Sequence, residues 1–352
     1  MDQKKLIIFV NDSKNFLISM DENHRYHSMD VYKLICNFKA MGYNVILLKF
    51  SEFDPCKNYK NIYVLYHITE DTFTLYKSYI EDIINFLEQK GAILLPCSQY
   101  ARAHHNKVYM ELMKTRFACK ELKTIKTHFY GNAYEAINAQ HKIKFPVVIK
   151  IADGAGSRGV ALAENRSEYV HKVCQICRGC YVSSYKQWVK NIIKKISTSF
   201  RIKKFDVPRY YGKMIVQTFI PDLSGDYKVL YFGKKYFILK RLNRDYDFRA
   251  SGSGKLFNVP DDEARGLLDF AKKVVQEIDF SIIGMDIGYD GATYHLLEFQ
   301  MIHLGPYALS MSEYYYIEKD GRWIKVPGKS DLEEEFCRSI DSFIREKGNE
   351  SE

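Results

Sequence analysis

Two clusters of side chains in this 352-residue chain have the types and spacing for chemistry. The first lies near the C-terminal end, in Met285-Asp286-Ile-Gly-Tyr-Asp290-Gly291-Ala-Thr-Tyr-His-Leu-Leu-Glu298-Phe-Gln300. Asp290-Gly291 is a hairpin turn signal, so Asp286 and Glu298 fall on two adjacent strands. Glu298 and Gln300 stand two apart and share one strand face. An Asp, a Glu and an amide oxygen converging from neighbouring strands suit Mg²⁺, which takes hard oxygen ligands together with phosphates. The plainer alternative is carboxylates facing water at a sheet edge; the apolar runs around Asp286 and Glu298 speak against it.

The second cluster is Gly154-Ala-Gly156-Ser157-Arg-Gly159, which matches G-x-G-x-x-G letter for letter. A dinucleotide fingerprint needs a helix after the glycines, and here the strand-like run 160–163 follows. A strand, a glycine loop and a second strand can instead fold over nucleotide phosphates, because backbone N–H groups approach anionic oxygens where no Cβ intervenes. A tight surface hairpin is the bland alternative. Lys150, just before the loop in Phe145-Pro-Val-Val-Ile-Lys150, is placed to reach a phosphate, and Lys107 is a second candidate. Protein-kinase H-R-D and D-F-G motifs are missing. Ser251-Gly-Ser-Gly-Lys255 resembles the end of a phosphate-binding loop but has Leu256 where Ser or Thr should hold magnesium.

Alternating elements must carry these residues. Strands are expected at 6–10, 44–50, 61–67 and 92–96, with helices at 28–41 and 72–90, the second ended by Gly91. That alternation predicts a parallel sheet with packed helices, a βαβ domain over 1–105. After it the pattern turns to α+β. Helices are expected at 107–119, 133–140 and 167–178, and strands at 145–150, 160–163, 214–220, 227–232 and 235–242. A helix at 261–278, a hairpin at 282–289 and 293–300, and a last helix at 330–347 complete it. The expected fold class is therefore α/β and α+β, with lobes at 106–220 and 221–352.

Composition sets the outer bounds. A hydrophobic fraction of 46% and a charged fraction of 27% are ordinary for a globular chain. No apolar run approaches the roughly 20 residues that span a bilayer, and residues 6–10 are too short for a signal-peptide core, so a cytoplasmic protein is expected. The eight cysteines are then reduced and mostly buried. Cys174, Cys177 and Cys180 form a spaced triplet near His171, but no fourth ligand at zinc spacing follows, and a structural role is favoured. Of the net charge of +9, eight units fall in 181–213, where nine Lys and Arg residues face Asp206 alone. So local a charge disfavours a nucleic-acid binder, whose footprint is broader. Arg201, Lys203, Lys204 and Arg209, interleaved with aromatics, suit a polyanionic substrate, or else form a solvated face.

The ordered set of Phe145–Lys150, Asp153–Gly159, Gln217-Thr-Phe-Ile220, Asp226-Tyr-Lys228, Lys240-Arg241, Asp247-Phe-Arg249 and Asp286…Glu298-x-Gln300 resembles the ATP-grasp enzymes. It is most similar in flavour to the amino-acid ligases that modify peptide C-termini, and more distantly to D-alanine–D-alanine ligase. The resemblance covers about 106–306, and 1–105 fits the family's pre-ATP-grasp domain. It implies that Lys107 and Lys150 contact phosphates and that Gly154, Gly156, Ser157 and Gly159 form the loop over them. Gln217, Thr218, Phe219 and Ile220 would be the hinge that reads adenine, with Gln217 where Glu is usual, and Asp226 would be the ribose-side acid. Arg249, Lys228 and Arg241 would be catalytic, with Lys228 where the nearest relatives have Arg. Asp286, Glu298 and Gln300 would hold Mg²⁺, two ions in the family, with Gln300 in place of Asn.

The reaction so implied is an ATP-dependent ligation of a carboxylate and an amine through an acyl phosphate. The acid expected is an amino acid or peptide, or a sugar carboxylate such as a uronic acid of a cell-surface polysaccharide precursor. A small-molecule kinase on the same fold and a non-catalytic nucleotide or polyanion binder are the alternatives.

Overall fold

The computed structural model describes residues 3–21, 23, 25–71, 74–154, 159–179, 211–250 and 253–349. The contacts divide them into two compact units. One unites residues 1–104, 113–124 and 222–352; the other takes 105–112 and 125–221. The N-terminal segment and the C-terminal lobe, expected as separate domains, belong to one unit.

In the first unit, β1 (Lys5–Val10), β4 (Asn44–Lys49), β5 (Tyr63–Leu65) and β6 (Ile93–Leu95) form a parallel sheet in the order β4-β1-β5-β6, with a small β2–β3 hairpin (Ile18–Met20, Tyr26–Ser28) between β1 and β4 in the chain. Parallel strands are covered on both faces and read as unbroken apolar runs; Leu6 to Val10 are almost fully buried. Helix α1 (Val31–Ala40) is capped by Asp30, whose side chain accepts from the Lys33 N–H. Helix α2 (Leu75–Gln89) ends at Gly91, in the left-handed region at φ +81°. Helix α3 (Ser98–Ala103) follows β6.

The second unit takes the start of α4 (Lys107–Lys114), whose remainder belongs to the first. Its antiparallel sheet has the order β7-β10-β8-β9, from β7 (Thr127–Asn132), β8 (Val147–Ile151), β9 (Val160–Ala163) and β10 (Tyr211–Thr218). Helices α5 (Ala133–Asn138) and α6 (Arg166–Gly179) pack on it through Ala136, Ile149, Tyr169, Val173 and Met214. Cys177 lies in the same core, which is the structural role favoured above; Cys180 lies outside the described residues, as does the basic segment up to 210. Helix α4 stops at Lys114, five residues short of the expected end.

The first unit resumes with a seven-stranded antiparallel sheet, β15-β14-β11-β12-β16-β17, to which β13 adds beside β12. Its strands are β11 (Gly225–Phe232), β12 (Lys235–Leu242), β13 (Leu256–Asn258), β14 (Ile282–Tyr289), β15 (Tyr294–Gln300), β16 (Tyr314–Lys319) and β17 (Arg322–Pro327). Helix α7 (Asp261–Gln276) buries Leu267, Leu268, Ala271 and Val274 on one side. After the single turn α8 (Tyr307–Ser310), helix α9 (Leu332–Asn349) packs on α1. No helix among the described residues is long and apolar enough to cross a membrane.

Candidate active site

Strand register brings the ionisable residues of the large sheet together. Asp226 pairs with Arg241 across β11–β12, Lys228 with Asp286 across β11–β14, and Asp286 with Glu298 across β14–β15. Directly opposed residues share a face, and alternate residues along a strand return to it. Asp226, Lys228, Arg241, Asp286, Glu298 and Gln300 therefore line one face. Gly225 allows this close pairing, since a Cβ there would stand 2.2 Å from the Arg241 carbonyl oxygen.

A β-bulge completes the arrangement. From the turn inward, Tyr289, Gly288 and Ile287 oppose Tyr294, His295 and Leu296, and the register then shifts by one so that Asp286 opposes Glu298. Without the extra residue Leu297 would face Asp286, and Glu298 would point to the other side of the sheet. Bulges re-aim side chains in this way. The twelve-residue spacing alone did not reveal it.

Within the array, Arg241 donates to both oxygens of Asp226, Nε at 2.8 Å and an Nη at 2.7 Å. The same Nη reaches Asp286 Oδ2 at 3.1 Å, and Lys228 Nζ donates to Asp286 Oδ1 at 2.8 Å. Arg241 also donates to the Tyr307 hydroxyl at 3.2 Å, a partner no sequence motif indicated. The side chains of Lys228, Arg241 and Asp226 are all at least nine-tenths buried. Burial and the neighbouring Asp286 charge push Asp226 up to about 6 against the pull of Arg241. Burial also opposes ionisation of Asp286, but Lys228 and Arg241 outweigh it and hold that carboxyl at about 2. Burial disfavours the Lys228 cation too, yet Asp286 raises its pKa above the ordinary value. Two anions and two cations thus form a neutral, fully paired group. Asp226, expected at a ribose, has both oxygens occupied by Arg241.

Beside the array, Glu298 and Gln300 are half-buried and make no side-chain hydrogen bond among the described residues. Asp286 has one hydrogen bond on each oxygen, and a carboxylate has about four lone-pair positions. The three therefore retain oxygen donors on one face, the donor chemistry that fits Mg²⁺. Among the described residues no group of three or more His, Cys, Asp or Glu is placed to hold a metal ion, so a magnesium site would depend on the Gln300 amide and on phosphate or water oxygens.

The second unit holds the residues expected at the nucleotide. Lys107 is buried, its Nζ donates to the Gly154 carbonyl, and its N–H bonds the Ala152 carbonyl at 3.1 Å. Lys150 lies half-buried on β8, opposite Ile215 and Val160. Gly159 closes the glycine run: its φ is +70°, and a Cβ would stand 2.2 Å from Ile151 Cγ2. Gly156 and Ser157 lie outside the described residues. Gln217 is buried and donates to the Thr127 hydroxyl at 3.1 Å, which in turn donates to Glu111 at 3.1 Å. Its side-chain amide is thus engaged within the unit. At the hinge, the Thr218 N–H bonds Lys126 and the Phe219 N–H bonds Pro146, whereas the Ile220 N–H makes no such bond among the described residues.

Arg249 follows β12 in the first unit. It is held by Asp247, which accepts from its Nε at 2.9 Å, and the Arg244 N–H to Arg249 carbonyl bond of 3.0 Å braces the loop. The hydrogen bonds to Asp247 raise the Arg249 pKa, and Asp247 is held below the usual carboxylate range.

No family model matches the chain, and no curated protein matches it. Solved structures do. The chain is similar to the ADP complex of N5-carboxyaminoimidazole ribonucleotide synthetase, with TM-score 0.54 and 11% identity over 97% of this chain and 79% of that one. It is similar to D-alanine–D-alanine ligase from Bacillus anthracis, with TM-score 0.52 and 11% identity over 99% of both chains. D-cycloserine synthetase DcsG gives TM-score 0.51 and 13% identity over 96% of this chain and 99% of that one.

Proposed function

We propose that this chain, which has the ATP-grasp fold, is an ATP-dependent carboxylate–amine ligase. The observation that carries the reading is the buried, neutral array of Asp226, Arg241, Asp286 and Lys228, set beside Glu298 and Gln300 with unspent oxygens. Such an array fixes charged groups before any substrate arrives, and pre-set charge is what phosphoryl transfer demands of a protein. That similar structures include an ADP complex and two enzymes named as a ligase and a synthetase supports the choice of chemistry.

In this reading ATP is a substrate. Lys107, Lys150 and the backbone of Gly154, Gly156, Ser157 and Gly159 receive its phosphates, and the Ile220 N–H and the backbone of Gln217, Thr218 and Phe219 read the adenine. Asp286, Glu298 and Gln300 would hold Mg²⁺, which would neutralise negative charge on the phosphates. The substrate carboxylate attacks the γ-phosphorus, giving an acyl phosphate and ADP; the amine then attacks the acyl carbon and phosphate leaves. Arg249 binds the substrate carboxylate, and Arg241, oriented by Asp226 and Tyr307, and Lys228 fix positive charge on the catalytic face. The acid is an amino acid or peptide carboxylate or a sugar carboxylate, and the basic segment 181–213 would favour anionic forms.

The test is ADP and phosphate release across a matrix of carboxylic acids and amines, with Lys150→Ala as control. Release that needs both an acid and an amine supports the ligase. ADP without free phosphate would make the protein a kinase, and tight ATP binding with no turnover would make it a binder.

A further inference from the structure

The first unit holds a second group of titratable side chains, with buried ring nitrogens, to which the reading above gives no role. His67 follows β5 at the C-terminal end of the parallel sheet, where open α/β sheets gather ligands. His303 stands three residues beyond Gln300. The Ile68 carbonyl accepts from His303 Nε2, and the Ile68 backbone bonds the His67 ring as well. A neutral imidazole that donates from one nitrogen keeps a bare lone pair on the other. Both remaining nitrogens, His67 Nε2 and His303 Nδ1, are buried without a partner among the described residues. Buried polar atoms of this kind call for a ligand or a water.

The surroundings select what can bind. His303 is stacked on His104, with ring centroids 4.9 Å apart. It also lines a cavity of about 10 Å³ walled by Leu17, Met29, Leu230, Phe232 and Leu304. That is room for a single water-sized group. The bare His67 lone pair repels a carboxylate or a phosphate, and apolar walls give a hydrated anion nothing in return. An N–H donor on a compact head suits both. The loop is continuous with the array: a Cβ on Gly305 would stand 3.3 Å from Lys228 Cε and 3.0 Å from a Tyr307 ring carbon.

We propose that His67 and His303 are acceptors for the head group of a primary amine, the nucleophile of the ligation. The identification of this amine as a substrate rests on the ligase reading; the site itself does not. Burial holds His67 at about 4, so its ring is neutral at pH 7 and remains an acceptor.

The experiment is a titration of the full chain, labelled with ¹⁵N-histidine, with methylamine and with tetramethylammonium, which has the same charge and no N–H. Methylamine should move the His67 Nε2 and His303 Nδ1 resonances along a saturable curve, and tetramethylammonium should leave them in place. His303→Leu should weaken methylamine binding about tenfold, the scale of one lost hydrogen bond, and His303→Asn, which keeps an acceptor oxygen, by no more than about threefold. Unmoved resonances, or a His303→Leu protein that binds methylamine like the wild type, would mean that these nitrogens hold water alone. Neither ATP nor an acid is present in this titration. Methylamine binding without amine-dependent ADP release would therefore sink the ligase reading and leave the site standing, and the converse would sink the site alone.

Discussion

The carboxylate–cation array and the histidine group lie in the same unit and are both buried, yet they are finished to different degrees. In the array every charged atom of Asp226, Arg241, Lys228 and Asp286 that lies against another has a partner. In the histidine group two ring nitrogens, His67 Nε2 and His303 Nδ1, have none among the described residues. A paired array is a fixed electrostatic surface that needs no rearrangement when charge develops on a substrate. An unpaired acceptor is a standing penalty, removed only by whatever binds there. On the two proposals above, the difference separates a surface that neutralises from a recess that receives.

The sharpest way to break the comparison is Arg241→Ala. It leaves Asp226 and Asp286 close together with only Lys228 between them, and loss of one partner of a buried pair destabilises by about 3–5 kcal/mol. Urea unfolding of the variant measures it; a change below about 1 kcal/mol would mean that water reaches the array. Next in size is a pH effect. His67 titrates at about 4 in the folded chain and at about 6.5 when unfolded. The unfolded state therefore binds the extra proton in that window, and stability falls by up to about 3 kcal/mol as pH drops from 6.5 to 4. Asp226 works the other way, because its folded value of about 6 exceeds the unfolded value near 3.9. It adds stability as pH drops through the same range. Unfolding at pH 6.5, 5.5 and 4.5 should show His67→Phe gaining stability toward acid and Asp226→Asn losing more than the wild type. Parallel profiles would contradict both assignments. The smallest effect is Tyr307→Phe, which removes one hydrogen bond to Arg241 and should destabilise by about 1 kcal/mol.

The sequence alone revealed these two regions unequally. Strands β11, β12, β14 and β15 of the large sheet were readable because each is a period-two or apolar run beside Gly233 or Asp290-Gly291. The candidacy of Asp286, Glu298 and Gln300 followed from one hairpin. The meeting of Asp286 with Lys228 and Arg241 did not, because it depends on β11 lying between β12 and β14, which no local pattern encodes. The histidine group was unreadable for a stronger reason: His67, His104 and His303 come from distant stretches and meet only in the folded unit. The β2–β3 hairpin escaped because its short strands, Ile-Ser-Met and Tyr-His-Ser, contain no apolar run such as marks the equally short β5 and β6. The β16–β17 hairpin escaped because its charged, exposed residues lack an apolar period. Helix α4 ends early because residues 115–124 turn back to the first unit through the Ala118 and Cys119 N–H groups, which bond Glu277.

The central claim is that this catalytic face activates a carboxylate through an acyl phosphate. Its most direct test is to supply the carboxylic acid found in the matrix with ¹⁸O in its carboxyl group and to follow the label during turnover. The account predicts one ¹⁸O atom in each phosphate released, with turnover at least about 100-fold slower in Glu298→Gln, the several kcal/mol expected of a lost metal ligand. Phosphate without ¹⁸O, or a Glu298→Gln protein as active as the wild type, would contradict it.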